Sequence, residues 1–343
     1  VKKEIFFVKN IFSDIKINNL KKKYFEIQDE INSLLIGSKV SKFQKDNSNK
    51  KFSVKSNISK KRFFQIVNKA KQYIKKGDIF QVVLSQRFES KLTKKPIEIY
   101  KKLRVTNPSP FMFFFNFNDF QIIGASPEIL VRLRNNVITV RPIAGTRPRG
   151  RNNKEDNLLK KDLINDKKEL SEHLMLLDLG RNDAGKVSKI NTIKVTEKFK
   201  IEKYSHVMHI VSNVTGIYDK KFSKFEALMA GFPAGTVSGA PQIRAMEIID
   251  ELEKNSRKIY AGGIGYFSAN GDFDTCIALR TAITKNNKFY VQAGAGIVAD
   301  SKPINEYNET INKAKALIKS LEKWKYFLLI TTIVLHIICT TTC

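Results

Sequence analysis

The chain is short of cysteine, of histidine and of acidic side chains, and each shortage narrows its chemistry. Three cysteines in 343 residues, Cys276, Cys339 and Cys343, make no CxxC pair and no disulfide framework. A reducing compartment, the cytoplasm, is therefore the default. No HExxH is present, which disfavours zinc-protease chemistry, and the loop "FPAGTVSGAP" at 232–241 lacks a P-loop lysine, which disfavours nucleotide binding. No repeat of solenoid period is visible, and no secretory signal opens the chain. Acids number 33 against 61 lysines and arginines, a formal charge of +28. Such an excess raises nucleic acid or an anionic membrane as a partner. Lysine is spread in pairs and triplets along the whole chain, however, with no aromatic-interleaved basic stripe that would stack bases. The charge reads as a general lysine drift, not a nucleic-acid footprint, and its remaining use is to steer a small dianionic substrate inward.

What is present is a globular chain, 42% hydrophobic and long enough to bury a full core. Its last 18 residues, Tyr326 to Cys343, carry no charge and as a helix would reach about 27 Å, just short of a bilayer core. Five threonines and His336 make it a poor membrane segment, and a packed terminal extension is favoured over an anchor. Residues 1–58 read as a short strand, a helix around 20–35 and a polar linker. Ser59 suits an N-cap for a helix to about Lys76, closed by Gly77. Strand-like runs follow at 80–88, 111–117, 120–125, 129–133 and 137–143, with helices at 166–181, 222–231 and 240–253. Further strands fall at 260–268, 273–285 and 288–293, and a last helix near 304–322. Strands arriving in runs with short turns predict an α+β fold, layered antiparallel sheets with helices packed outside. The expected division is a catalytic domain over 59–322 and a hydrophobic extension over 323–343.

The segment "KKELSEHLMLLDLGRND", 167–183, places acids among leucines. On a helical wheel with Glu169 at zero, Glu172 falls at about 300°, between Leu179 at about 280° and Leu176 at about 340°, with His173 at about 40°. Both glutamates therefore point into the apolar sector, where an unpartnered carboxylate must shift its pKa or find a cation. Asp183 reads as a loop cap or salt bridge with Arg181. A second stripe, Glu306, Glu309 and Lys313 in "NEYNETINKAKAL", reads alone as an intrahelical ion-pair ladder. Four glutamates on two helices at an apolar boundary fit one hard divalent cation better than two unrelated ladders, and oxygen ligands alone indicate Mg²⁺. His173 lies on the core side and reads as a core histidine.

Glycines after apolar strand residues in "RPIAGTRPRG" and "VQAGAGIVAD" allow close approach of a ligand to backbone N–H groups, with a β-bulge as the equal alternative. Glu128, after a proline in "GASPEIL", is a general acid if buried and a surface charge if not. His209 shares an otherwise apolar strand face, where a core histidine is the default.

Taken together, "GDIFQVVLSQRF", "NPSPFMFFF", "GASPE", "RPIAGTRPRG", "KELSEHLMLLDLGRND", "YSHVMHIVS", "FPAGTVSGAPQIRAMEII", "YAGGIGYF", "DTCIALRTA", "QAGAGIVADS" and "EYNETINKA" resemble the chorismate-utilising enzymes. Within them they resemble the large-subunit (component I) family of anthranilate synthases, in the family's order from about residue 60 to 320. The resemblance implies that Glu172 and Glu309 ligate Mg²⁺ directly, with Glu169 and Glu306 holding its waters. It implies that Tyr260 and Arg280 grip the enolpyruvyl carboxylate, and that Lys313 and the Gly294, Ala295 and Gly296 backbone take the ring carboxylate. Glu128 becomes the acid for the departing 4-hydroxyl, and His209, with Thr236 nearby, serves pyruvate elimination. Gly145, Thr146, Pro110, Phe111 and Met112 are further chorismate contacts.

Two positions discriminate within the family. Gln81 stands where isochorismate and salicylate synthases resemble one another in carrying a lysine base, so ammonia is the expected nucleophile. Ala144 stands where aminodeoxychorismate synthases carry a nucleophilic lysine, which rules against a covalent intermediate. The implied reaction joins chorismate and ammonia to give anthranilate and pyruvate, in tryptophan biosynthesis. With no GxCxG-type thiol, a glutamine amidotransferase subunit is the implied ammonia source, giving a hetero-oligomer. Aminodeoxychorismate synthase, or an inactive remnant serving as a scaffold, are the alternatives. Family members are longer at the N-terminus, where an "LLES"-like segment helps bind feedback tryptophan, so a truncated chain is expected. Gln242 also replaces the lysine common in "SGAPK".

Overall fold

The structure is a computed structural model, and it describes residues 53–204 and 207–322. The strand and helix expected within residues 1–40, most of the polar linker and the hydrophobic tail lie outside the described residues.

Local signals set the first helix, α1 (Lys60–Lys76). Ser59 accepts a hydrogen bond from Arg62 N, and Gly77 closes the helix at φ +84°, a left-handed value that costs glycine nothing. The strands are β1 (Lys55–Ser56), β2 (Gln81–Lys91), β3 (Phe111–Asn116), β4 (Phe120–Ser126), β5 (Ile129–Arg134), β6 (Val137–Val140), β7 (Ile143–Pro148), β8 (Lys194–Lys203), β9 (Val207–Ile217), β10 (Gly239–Ala240), β11 (Gly263–Phe267), β12 (Phe273–Ile277), β13 (Thr281–Lys285) and β14 (Lys288–Ile297). Further helices are α2 (Pro96–Thr106), α3 (Asn153–Asn165), α4 (Lys167–Gly185), α5 (Lys224–Met229), α6 (Gln242–Leu252) and α7 (Pro303–Ser320).

Among the described residues two seven-stranded sheets result. The first runs β1-β2-β14-β13-β4-β3, with β10 also on β2; the second runs β11-β12-β5-β6-β9-β7, with β8 on β9. Their ladders are antiparallel. Asn135–Asn136 and Asn286–Asn287, all at φ of about +50° to +60°, form the paired left-handed turns that match strand twist in two-residue hairpins. On the first sheet, Val82, Leu84 and Ile297 pack under α1 and α6, while Phe88, Ile123 and Val291 pack under α2 and α7. On the second, Leu133, Ile138 and Val214 pack with Leu177 and Ala184 of α4 and Ala227 of α5. Lys102, buried under α7, donates to Lys319 O (2.8 Å) and Glu322 O (2.6 Å) and so satisfies carbonyls at the end of that helix. Layered antiparallel sheets with helices outside are as expected.

Three details differ from the expectation. The run 273–285 is two strands in different sheets, broken at Arg280, whose φ is +46°. Pro142 ends β6, so 137–143 is not one strand. Lys55 and Ser56 pair with Glu89 and Phe88, so the sheet begins before residue 59.

The chain crosses between sheets at two adjoining places. β4 leaves the first sheet at Ser126 and β5 enters the second at Ile129; β12 leaves the second at Ile277 and β13 enters the first at Thr281. The crossings are tied together by Ser126 Oγ to Ile277 O (2.6 Å), Ile277 N to Glu128 O (3.0 Å) and Ala125 N to Arg280 O (3.1 Å). Glu128 and Arg280 thereby stand one at each of the two adjoining crossings of the seam between the sheets.

Candidate active site

The acid-bearing helix starts at Asp166, whose carboxylate accepts from Lys168 N and Glu169 N. It runs through 183 to Gly185, four residues beyond the expected end, which corrects the reading of Asp183 as a loop residue. Asp183 is buried and pairs with Lys186 (2.9 Å), while Arg181 pairs with Asp178. His173 is wholly buried, its Nε2 2.7 Å from Ser212 Oγ and its ring against Phe199. Burial pushes its pKa down to about 4, so it is the neutral core histidine expected.

Glu172 is half-buried and accepts from the buried Gln81 amide at 3.2 Å. Burial raises its pKa, the Gln81 bond opposes that, and the charges of Glu169 and Glu309 raise it further. Glu306 is likewise raised by burial and by Glu309, against the bond from Ser301. The four glutamates of two helices distant in sequence therefore share one electrostatic neighbourhood.

Each carboxylate also has a protein partner: Glu169 holds Arg147 (3.2 Å), and Glu309 holds Lys313 (2.6 Å). Among the described residues no three His, Cys, Asp or Glu side chains converge closely enough to ligate an ion as they stand. The donor set nonetheless suits a hard cation, being all oxygen and burdened by its own repulsion.

β14 provides the wall opposite. Its alternate residues Ala293, Ala295 and Ile297 are buried on the core side, leaving Gly294 and Gly296 on the other. A methyl on Gly296 would stand 2.6 Å from Gln81 Nε2, and one on Gly294 2.7 Å from the Tyr260 hydroxyl. Lys313 Nζ donates to Gly294 O at 3.0 Å. Tyr260 is buried, which pushes its phenol up to about 12. Burial works against the charge of Arg280, while Tyr260 and Glu309 support it.

Glu128 is 8% exposed, and burial pushes its carboxyl from 4.5 to about 8; the Thr236 hydroxyl and the Lys313 charge pull the other way, but less. It is thus neutral at physiological pH, as a general acid must be. Thr236 Oγ1 is buried without a hydrogen bond of standard geometry. Both residues line a cavity of about 30 Å³ that reaches Gly180, Asp183 and Gly235.

His209 is half-buried, not a core histidine. Its Nδ1 stands 2.9 Å from Thr146 Oγ1 and 3.3 Å from Gly145 O. A carbonyl oxygen only accepts, so Nδ1 carries the proton and Nε2 keeps its lone pair. Burial lowers the pKa, Gly145 O opposes, and the Arg280 charge lowers it again. Gly145, at φ +76°, leaves room for Glu169, whose Oε2 would be 3.2 Å from a methyl there.

Pro110 and Phe111 are placed apart from the glutamates. They line a cavity of about 290 Å³ with Arg132, Arg141, Tyr204 and Asp274, and Met112 packs on the first sheet's core. Two residues were passed over in the sequence. Arg147 gathers Asp162, Asp166 and Glu169, and Lys168 lies near Glu172 and Glu306 while pairing with Asp300. The arginine-rich "TRPRG" was the signal available for the first; nothing in the sequence marked the second.

The sequence profile of chorismate binding enzymes matches residues 7–319. The chain is 61% identical to anthranilate synthase component 1 of Cereibacter sphaeroides over 269 residues, 78% of this chain and 54% of that one. It is 57% identical to the protein of that name from Acetivibrio thermocellus over 271 residues, 79% and 55% of the two chains. The chain thus spans about half the length of the curated relatives it matches. Among solved structures it resembles anthranilate synthase component I from Streptococcus pneumoniae, with a TM-score of 0.80 at 45% identity, covering 89% of this chain and 67% of that one. A putative 2,3-dihydroxybenzoate-specific isochorismate synthase from Bacillus anthracis follows it at TM-score 0.71 and 27% identity, covering 80% and 75%. From the match over most of its length and the fold it shares with these enzymes, the chain belongs to the chorismate binding enzyme family.

Proposed function

We propose that the seam between the sheets converts chorismate and ammonia to anthranilate and pyruvate. The observation that carries the reading is the neutral, buried Glu128 at one crossing, facing the Lys313 charge and Thr236. Two cationic stations, Arg280 with Tyr260 and Lys313 at Gly294, match a small dianion. Mg²⁺, held by Glu172 and Glu309 with Glu169 and Glu306 around its waters, would neutralise the ring carboxylate and polarise the diene.

Arg280 and Tyr260 orient the enolpyruvyl carboxylate, and Lys313 the ring carboxylate. Glu128 gives its proton to the 4-hydroxyl, which leaves as water while ammonia bonds to C2. His209, neutral with Nε2 open, takes the C2 proton as the C3–O bond breaks, and the enolate that departs becomes pyruvate on taking a proton from solvent at its methylene carbon. Gln81 carries no base, and its amide is committed to Glu172, which favours ammonia over activated water. Ala144 offers no nucleophile.

Among the described residues the cysteine is Cys276, 1% exposed and pushed by burial to about 12. It cannot attack glutamine, so a partner amidotransferase is the proposed ammonia source. The test is anthranilate fluorescence from the full chain with chorismate and Mg²⁺. Product with ammonium but not with glutamine supports the reading; folded protein that makes none with either refutes it.

A further inference from the structure

Along α4, Glu169, Glu172, Leu176, Leu179 and Asp183 recur at three- and four-residue steps, one stripe facing the seam. The first two belong to the glutamate cluster. Asp183 lies about 16 Å further along the axis, buried at 6% exposure, where the mechanism does not use it. It lines the same cavity of about 30 Å³ as Glu128 and Thr236. That space is large enough for one water, and Thr236 Oγ1, buried without a hydrogen bond of standard geometry, would offer it a partner. Asp183 is tied toward solvent by Lys186, 55% exposed, which donates to Asp183 Oδ1 (2.9 Å) and Ala230 O (3.2 Å).

We propose that Asp183 is a positioning residue in a proton relay that reprotonates Glu128 through this cavity. The inference rests on the reading of Glu128 as the acid of the proposed reaction. After the 4-hydroxyl leaves as water, Glu128 is a carboxylate. A water in the cavity gives it a proton and takes one from the Asp183 carboxyl, which regains its own from solvent past Lys186. Only O–H bonds form and break, and no co-reactant is needed. Burial raises both carboxyls, Glu128 against Thr236 and Lys313, and Asp183 against Lys186, so both hold protons more tightly than exposed acids do. Arg141 also lines the cavity, but its guanidinium is bound to Glu197 and Glu202. The charged groups facing the relay are therefore Lys313 at the inner end and Lys186 at the outer.

The test compares the full chain with Asp183→Asn, Asp183→Glu and Gly180→Ala, using chorismate, ammonium and Mg²⁺. Gly180 lines the cavity, and its methyl would meet Val140 Cγ1 at 3.4 Å and Pro142 at 3.7 Å. It would narrow the space without strain in a helix that favours alanine. The relay predicts a tenfold lower kcat for Asp183→Asn with KM for chorismate within twofold, a larger solvent deuterium isotope effect, and recovery of most of the rate in Asp183→Glu. Gly180→Ala should fold and slow severalfold. Wild-type kcat and isotope effect in Asp183→Asn, or Asp183→Glu no faster than Asp183→Asn, overturns it; should Asp183→Asn not fold, an unslowed Gly180→Ala does so. A readout apart from turnover is the infrared C=O stretch of protonated Glu128, absent from Glu128→Gln. It should shift in Asp183→Asn and Gly180→Ala, and a band unmoved in both counts against the relay. A wild-type chain that makes no anthranilate refutes the reading of the site, and the band then decides the relay alone.

Discussion

Replacing Glu128 by glutamine should stabilise the protein while disabling it, and the stabilisation should grow with pH. The native carboxyl titrates at about 8, against an ordinary value of 4.5. Between those values the folded state holds a proton that the unfolded state has lost, so folding stability falls as pH rises, by about 1.4 kcal/mol per unit. Glutamine has no proton to lose and similar shape. The variant should therefore match wild type near pH 5 and exceed it by about 4 kcal/mol near pH 8. Urea unfolding of both proteins at pH 5, 6, 7 and 8 measures the gap through the midpoint at constant m. The same preparations should lose about 10² to 10⁴ in kcat, the contribution of a positioned acid. Stability curves that run parallel from pH 5 to 8 would refute the burial argument, whatever the activity.

Three further outcomes follow from the site. Glu172→Gln should abolish Mg²⁺-dependent turnover while leaving the melting temperature unchanged or raised, since it removes a half-buried charge repelled by Glu169 and Glu309; an unaltered rate would show the metal is held elsewhere. Gly294→Ala meets Val83 Cγ1 at 2.9 Å and Leu84 O at 3.1 Å besides the Tyr260 hydroxyl, and should cost about 1–3 kcal/mol by overpacking and raise KM for chorismate. Gly296→Ala meets the movable end of Gln81 instead, so denaturation should find it near wild-type stability with slowed amination, and a loss as large as that of Gly294→Ala would contradict the distinction.

Part of this site was legible in the sequence because helices and hairpins announce themselves over short spans. The wheel placed Glu169 and Glu172 toward the interior from residue types alone, and Ser59 and Gly77 bounded α1. Charged amphipathic pieces such as α2, α3 and β8 were not assigned, because their apolar positions are few and their partners lie far off in sequence. The break at Arg280 was hidden for a different reason. "FDTCIALRTAITK" holds no Gly, Pro, Asn or Ser to mark a turn, and both its halves are largely buried, the first in one sheet and the second in another; a run without turn residues gives no sign of where the chain changes sheets. The surroundings of His209 were hidden because its strand face carries valines while its polar neighbours, Thr146 and Gly145, lie on β7, some sixty residues earlier.

The crossing that concealed the break is what makes the site. A residue inside a strand has its side chain directed to one face of one sheet, whereas a residue between sheets is held by both. Glu128 follows Pro127 at one crossing, and Arg280 takes a left-handed φ of +46° at the other, a conformation that costs a long side chain on the order of 1 kcal/mol or more. That strain persists because Ala125 N, Ser126 Oγ and Ile277 N tie the crossings together. If it serves to aim the guanidinium, Arg280→Gly should leave folding intact or improved while KM for chorismate rises far more than kcat falls. Equal losses in stability and affinity would instead make Arg280 a structural tie between the sheets.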